Sequence, residues 1–316
     1  MTNIRERKSI RNEYGKTLVE LGKENLNIVV LDADLSCSTQ TAMFAKEFPE
    51  RFFNMGIAEQ DMIATAAGLA TTGKIPFVST FAMFATGRVW DQIRNSVCYP
   101  HFNVKIVATH GGITVGEDGA SHQALEDVAI MRSIPDIMVV VPADCTETAE
   151  VIKFAAQYKG PMYIRIARTN VPDVFNKDSY KFNPYKAIIV QEGSDITLVT
   201  NGETLAEAMD CVEILKEQGI SAELIHMPVV KPIDTETIIK SAAKTKKVVT
   251  IENHSIIGGI GSAICETLSE HYPTQVLRLG TNDEFGQSGE QRVLMEHYGL
   301  TGEKLAQKIL NFLGKN

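Results

Sequence analysis

Cysteine is sparse in this 316-residue chain: five residues, with no CxxC pair. Cys37, Cys98, Cys145, Cys211 and Cys265 lie tens of residues apart. That spacing excludes the clustered ligands of a zinc site or a disulfide framework and points to free thiols in a cytoplasmic protein. No apolar run approaches the roughly 18 residues needed to span a bilayer. The opening segment MTNIRERKSIRNEYG has no apolar core, so no secretory signal is expected. Positive charge is in deficit, with 31 basic residues against 39 acidic ones and a net charge of -8. Nonspecific binding to nucleic acid or an anionic membrane needs a basic face and is not expected. A small anionic substrate is compatible, because a few arginines and histidines can gather in one cleft. Internal repeats, a triphosphate-binding P-loop and a complete dinucleotide fingerprint are also missing.

What is present is the composition of an ordinary globular protein, 44% hydrophobic and 22% charged with 23 Gly and 11 Pro. At roughly 150 residues per domain the length predicts two domains, and about three quarters of the unfolded surface can be buried. Strands are expected at Asn27–Leu31, Ile75–Ser79, Val104–Thr109, Ile137–Val141 and Met162–Ala167. Helices are expected near Glu13–Gly22, Asp61–Thr71, Phe84–Val97 and Thr146–Tyr158. Apolar runs alternating with helices predict a parallel sheet covered on both faces. Thr169–Tyr185 has no clear period and reads as a linker or wrapping segment. Further strands follow at Ile196–Thr200, Ala222–His226, Lys247–Ile251 and Val276–Leu279. Leu205, Ala208, Met209, Val212 and Leu215 mark one helix face between them. The expected fold class is α/β, two domains of mostly parallel sheet covered by helices, over residues 1–185 and 186–316.

Four segments could carry chemistry. THGGITVGEDGASHQALEDVAIMRSIPD places His110, Asp118 and His122 in a glycine-rich stretch after a strand. Ligands of parallel α/β sheets bind at the carboxyl ends of strands, where glycines allow close approach and imidazoles handle protons. A polar surface loop whose histidines cap turns would read the same way. In FFNMGIAEQDMIATAAGLATTG, Glu59 stands near a helix start, either as a first-turn acid complementing the dipole or as a buried carboxyl exchanging a proton with a cofactor. Phe81 and Phe84 in VSTFAMFATGRVWDQ suit a core as well as a cofactor contact. Arg168 follows a strand directly, whereas Arg11 and Ser38 are unremarkable alone. The Gly258–Gly261 turn could offer a helix amino end to an anion, a weak signal.

Taken in order, DADLS, MGIAEQ, STFAMF, THGGITVGEDGASHQ and IARTNVP resemble the pyrimidine-binding and carboxy-terminal domains of transketolase, a thiamine diphosphate enzyme. The resemblance covers essentially the whole chain, and GEDGxxHQ is its most specific part. It implies transfer of a two-carbon ketol unit between a ketose phosphate and an aldose phosphate, as in the pentose phosphate pathway. Glu59 would protonate the aminopyrimidine ring, so that the ring's imino group can take the thiazolium proton. Phe81 and Phe84 would pack on that ring, with Asp34 beside the cofactor. Asp118 and His122 would meet the donor's hydroxyls, His122 as a catalytic group. His110, Arg168, Arg11 and Ser38 would form the sugar-phosphate end of the channel.

Full-length transketolases carry a further domain that holds the diphosphate and its divalent ion, usually through a GDG motif, and this chain contains no GDG. The resemblance therefore implies half of a split enzyme. A separate amino-terminal-half subunit would hold the diphosphate and Mg2+ or Ca2+, this chain would hold no metal, and the assembly would be a two-fold heterotetramer. A third aromatic often lines the pyrimidine pocket where this chain has Gly87. The nearest rival is the beta chain of a 2-oxoacid dehydrogenase, which needs no sugar-phosphate cluster. Deoxyxylulose phosphate synthase and a non-catalytic paralogue are the others, and the presence of Glu59 and His122 argues against the last.

Overall fold

A computed structural model of the protein describes residues 6–315. Its frame is two sheets. The first has seven strands in the spatial order Val229–Lys231, Met138–Val140, Met162–Ile166, Lys105–Thr109, Ile75–Phe81, Ile28–Asp32 and Phe52–Asn54. All neighbours are parallel except Val229–Lys231, which runs antiparallel to Met138–Val140. The second orders Gln275–Thr281, Lys247–Ser255, Ile196–Thr200, Ala222–His226 and Ile188–Gln191, with only the last antiparallel.

The central strands are buried along their whole length, as in IVVLD at Ile28–Asp32 and KIVAT at Lys105–Thr109. Helices cover both faces, so an unbroken apolar run is what each strand requires. The helix Ile10–Glu24 shows the local logic. Ser9 caps it by accepting from the Asn12 N–H, and Ile10, Tyr14, Leu18 and Leu21 form the buried face. Tyr14 carries its polar end inward and shares a 2.7 Å hydrogen bond with Ser79 in the sheet.

The structure departs from expectation along the Phe84–Val97 helix and at one edge of the first sheet. The single helix expected over Phe84–Val97 is broken into Ala82–Thr86, a 3₁₀ turn at Gly87–Val89, Trp90–Gln92 and a π-helical turn at Ile93–Cys98. The break falls where Thr86 leaves helical geometry and Gly87 offers no side chain to hold it. The stretch expected as a linker or wrapping segment takes the wrapping form and is pinned. Asn170–Pro172 pairs with Arg7–Ser9, and the Asp144 carboxylate accepts from the Val174 and Phe175 N–H groups at 2.7 and 2.8 Å. Val229–Lys231, well beyond residue 186, completes an edge of the first sheet. Lys231 Nζ then caps the end of Asp127–Arg132 through the carbonyls of Arg132 and Ile134.

The seam between the sheets is polar and buried. Arg165 and Asp127 form a buried ion pair at 2.8 Å, and Tyr163 donates to the same carboxylate oxygen at 2.7 Å. Arg165 also donates to the carbonyl of Asn253, whose side chain accepts from the Ile113 N–H and donates to Thr114 and Glu203. The turn at Gly258–Gly261 is not free to take an outside anion, because the Glu252 carboxylate accepts from the N–H groups of Ile260 and Gly261 at 2.9 and 3.0 Å. Burial pushes Glu252 up to about 7, against those two donors, which favour its charge. No helix among the described residues is long and apolar enough to cross a membrane.

Candidate functional site

The chemistry-bearing side chains collect at the carboxyl ends of the first sheet. Phe81 ends Ile75–Phe81, His110 follows Lys105–Thr109, Arg168 lies just past Met162–Ile166, and Asp34 just past Ile28–Asp32. Asp34 and His110 both adopt left-handed backbone, at φ 63° and 62°, which turns the chain sharply as each strand ends. Glu59 opens the helix Glu59–Thr71 after the Phe52–Asn54 strand.

Phe81 and Phe84 stack with ring centroids 6.0 Å apart. The His110 ring stacks on Phe81 at 3.8 Å, and His122 meets Phe84 edge-on at 5.4 Å. Four rings predicted from separate segments thus form one cluster. Burial, reinforced by the charges of Arg11, Arg168 and His122, holds His110 down to about 3, so its ring is a neutral imidazole. Thr109 Oγ1 and His110 Nδ1 share a hydrogen bond at 2.8 Å, as do Ser121 Oγ and His122 Nδ1 at 2.9 Å.

Arg11 spans from the first helix to this cluster. Its Nη1 donates to the Ser38 carbonyl at 2.8 Å and its Nη2 to the Arg168 carbonyl at 3.3 Å. Ser38 therefore joins the group through its backbone. Arg168 donates to the Val115 carbonyl and pairs with Glu117 at 3.0 Å. Asp118 is exposed at the end of the 3₁₀ segment Ile113–Asp118. Asp34 is exposed and accepts from Asn54 Nδ2 at 3.0 Å. The Asp32 carboxylate supports this neighbourhood from below, accepting from the Leu35 N–H and from the hydroxyls of Thr39 and Thr41.

Glu59 is buried, and its Oε1 accepts from Arg88 Nη1 at 2.7 Å. Arg88 also lies over the Phe84 ring. Neither Arg88 nor Glu117 was singled out from the sequence. Glu117 sits inside GEDG and could have been, whereas Arg88 reads as one turn of a surface helix until the helix breaks at Gly87. A side chain at Gly87 would meet nothing within 4 Å, so the third-aromatic position is open space. Two glycines of the motif are enforced by packing. A Cβ at Gly111 would lie 2.2 Å from the buried Arg165, and one at Gly112, with φ +77°, would lie 2.3 Å from Asn253. The glycine-rich stretch is thereby clamped to the interdomain seam. Gln123 ties it from the other side, donating to the carbonyls of Ile113 and Gln287. Among the described residues, no three His, Cys, Asp or Glu side chains are grouped to hold a metal ion.

The chain matches the models of two domains of one family. The transketolase pyrimidine-binding domain matches residues 6–174, and the transketolase C-terminal domain matches residues 185–305. The chain belongs to the transketolase family. It is 55% identical over 98% of its length to a Methanocaldococcus jannaschii protein named "Putative transketolase C-terminal section", covering 97% of that protein. It is 37% identical over 96% of its length to one of the subunits of an apulose-4-phosphate transketolase from Phocaeicola vulgatus, again covering 97% of the relative. Among solved structures, a split-gene transketolase described as an inactive beta4 tetramer superimposes with a TM-score of 0.89 at 52% identity, covering 96% of this chain and 97% of that one.

Proposed function

We propose that this chain is the pyrimidine-binding subunit of a split, thiamine diphosphate-dependent transketolase acting on sugar phosphates. The observation that carries the reading is the convergence of a buried carboxyl, two stacked phenyl rings, two imidazoles and two guanidiniums at one row of strand ends. The donor set fits an aminopyrimidine. Glu59 offers a carboxyl at the floor, Phe84 offers a partly exposed ring, and the space at Gly87 is open. When bound, thiamine diphosphate would supply the electron sink for a two-carbon ketol fragment.

The chain's own residues would then bind, orient and move protons. Glu59 would share a proton with the ring nitrogen nearest its Oε atoms, while Phe81 and Phe84 hold that ring flat, with Asp34 at the edge of the pocket. Asp118 and His122 would take the donor's hydroxyls, with His122 as the group moving a proton at the sugar. His110, held neutral by its surroundings, would accept or donate a hydrogen bond without adding charge. Arg11 and Arg168 would face the phosphate, since a guanidinium fork matches its oxygens. The Ser38 carbonyl would keep Arg11 aimed there.

The diphosphate and its Mg2+ or Ca2+ would be held by a separate chain. Support comes from the relatives' names, since one is a subunit of a larger transketolase and another the product of a split gene. Ile57, two residues before Glu59 and 80% exposed, provides an apolar surface at the mouth of the pocket for such a chain to cover. A two-fold assembly with two copies of each subunit follows by family analogy. We assign residues 1–185 to the pyrimidine-binding part with its wrapping segment, and 186–316 to the carboxy-terminal part.

The test is a ketol-transfer assay with xylulose 5-phosphate and ribose 5-phosphate, thiamine diphosphate and magnesium. It is run on this chain alone and with the chain bearing the diphosphate domain. Activity only in the mixture supports the reading. Activity from the chain alone overturns the shared site, and decarboxylation of a 2-oxoacid in place of ketol transfer overturns the substrate class.

A further inference from the structure

Arg88 has no role in the proposed chemistry, yet it makes two contacts at the centre of the site. Its Nη1 donates to Glu59 Oε1 at 2.7 Å, and its guanidinium carbon lies 4.4 Å from the Phe84 ring centroid. The Glu59 side chain is only 4% exposed while that of Arg88 is 45% exposed, so the guanidinium reaches in from solvent onto a buried acid. Gln60 Nε2 fixes the backbone behind it by donating to the Arg88 carbonyl at 3.1 Å.

A guanidinium is planar, stacks on aromatic faces and carries its N–H donors in the plane. An aminopyrimidine is also planar, stacks by its face and carries polar nitrogens in its plane. The geometry points to Arg88 as an internal occupant of the aminopyrimidine position: without cofactor its guanidinium stacks on Phe84 and saturates Glu59, and the cofactor displaces it. This inference rests on the thiamine reading of the site. The pairing has a physical reason, because a carboxylate buried without a partner is costly. The local backbone suits a side chain that moves. Arg88 lies in the 3₁₀ turn Gly87–Val89 between two interrupted helical pieces. The space beside Gly87 gives the displaced side chain room.

A self-occupied site weakens apparent cofactor affinity in proportion to its open fraction, so a latch closed about 90% of the time costs about tenfold. The experiment is calorimetric titration of thiamine diphosphate, with magnesium, into the assembled two-chain enzyme carrying wild-type chain, Arg88→Met or Arg88→Lys. Arg88→Met keeps an unbranched apolar stem and removes the charge and donors. Its dissociation constant is expected to fall about tenfold at unchanged stoichiometry. Arg88→Lys keeps the charge but loses the plane, and a fall of about threefold is expected. It carries the test if the methionine variant does not fold. In a Glu59→Gln background the gain from Arg88→Met should shrink to about twofold, because the acid that held the latch is gone. Equal or weaker binding by both Arg88 variants overturns the latch while leaving the thiamine reading standing. No binding by the assembled wild type overturns the thiamine reading, and the latch with it.

Discussion

Two regions of this molecule are rich in charge, and they spend it differently. In the interdomain seam, Arg165, Asp127, Tyr163, Asn253, Glu203 and Glu252 are buried and bond to one another or to backbone groups, with Asp127 Oδ1 and Glu203 Oε2 left without a hydrogen-bond partner. At the strand ends, the Arg88, Arg168 and Phe84 side chains and the Asp34 and Asp118 carboxylates remain open to solvent at least in part. The seam fixes where the glycine-rich stretch lies, through Gly111 against Arg165 and Gly112 against Asn253. The strand ends hold binding capacity not yet used. Residue type alone does not separate these roles; how far each side chain stays open to solvent does.

Exchanging one carboxylate in each region tests this contrast most directly. Glu59→Gln is expected to cut ketol transfer by the assembled enzyme roughly 10²–10⁴-fold, the usual contribution of a positioned proton-transfer group. Its effect on urea unfolding of the chain should be small, since the paired Arg88 side chain is nearly half exposed and the amide can still accept from it. Retained turnover would remove Glu59 from its role. Asp127→Ala should do the reverse. It leaves Arg165 as an unpaired buried charge and should cost about 3–5 kcal/mol of unfolding free energy. An unchanged urea midpoint would show that the seam is not structural.

Arg168→Ala probes a finer division, inside the site itself. The KM for a phosphorylated sugar is expected to rise roughly tenfold, the scale of one lost charge-assisted hydrogen bond, with little change for an unphosphorylated donor. Equal effects on both would take Arg168 away from the phosphate. The smallest effects are in pH dependence, where the two regions have opposite signs. His110 is held down to about 3, so its contribution is fully present above its ordinary value of 6.5 and is lost as pH falls toward 3. Glu252 is raised to about 7, so its contribution is fully present below its ordinary 4.5 and is lost as pH rises toward 7. Between these ordinary values, His110→Gln should lower the slope of stability against pH and Glu252→Gln should raise it. Urea titrations at pH 5 and 6.5 measure both, and slopes moving in the same direction would contradict the assignment.

Much of the fold was legible because fully buried parallel strands must be apolar throughout. Strands expected at Ile75–Ser79 and Ala222–His226 are found at Ile75–Phe81 and Ala222–His226. Phe52–Asn54 and Val229–Lys231 were not legible, since three residues carry no period and only the sheet edge recruits them. The helix expected over Phe84–Val97 failed because its apolar spacing does not show that the chain leaves helical geometry at Thr86, just before Gly87. At the candidate site, the motifs nominated Phe81 and Phe84 for the cofactor ring, His122 for the donor's hydroxyls and His110 for the sugar-phosphate end; that the four rings lie against one another was not legible. The same reasoning could not find Arg88, whose partner Glu59 is 29 residues away.

The order of residues alone settles the alternation of strand and helix and the family, and it nominates most of the candidate side chains. These follow from local periodicity and from motifs that are contiguous in the chain. Which charges are spent and which remain available is decided only in three dimensions. Folding placed Glu252 on the helix amino end that an outside anion might otherwise take, Asp127 against Arg165, and Arg88 over Phe84 and Glu59. The physical reason is that desolvation and pairing depend on neighbours brought together by the sheets, and residues distant in sequence carry no local signal of that meeting.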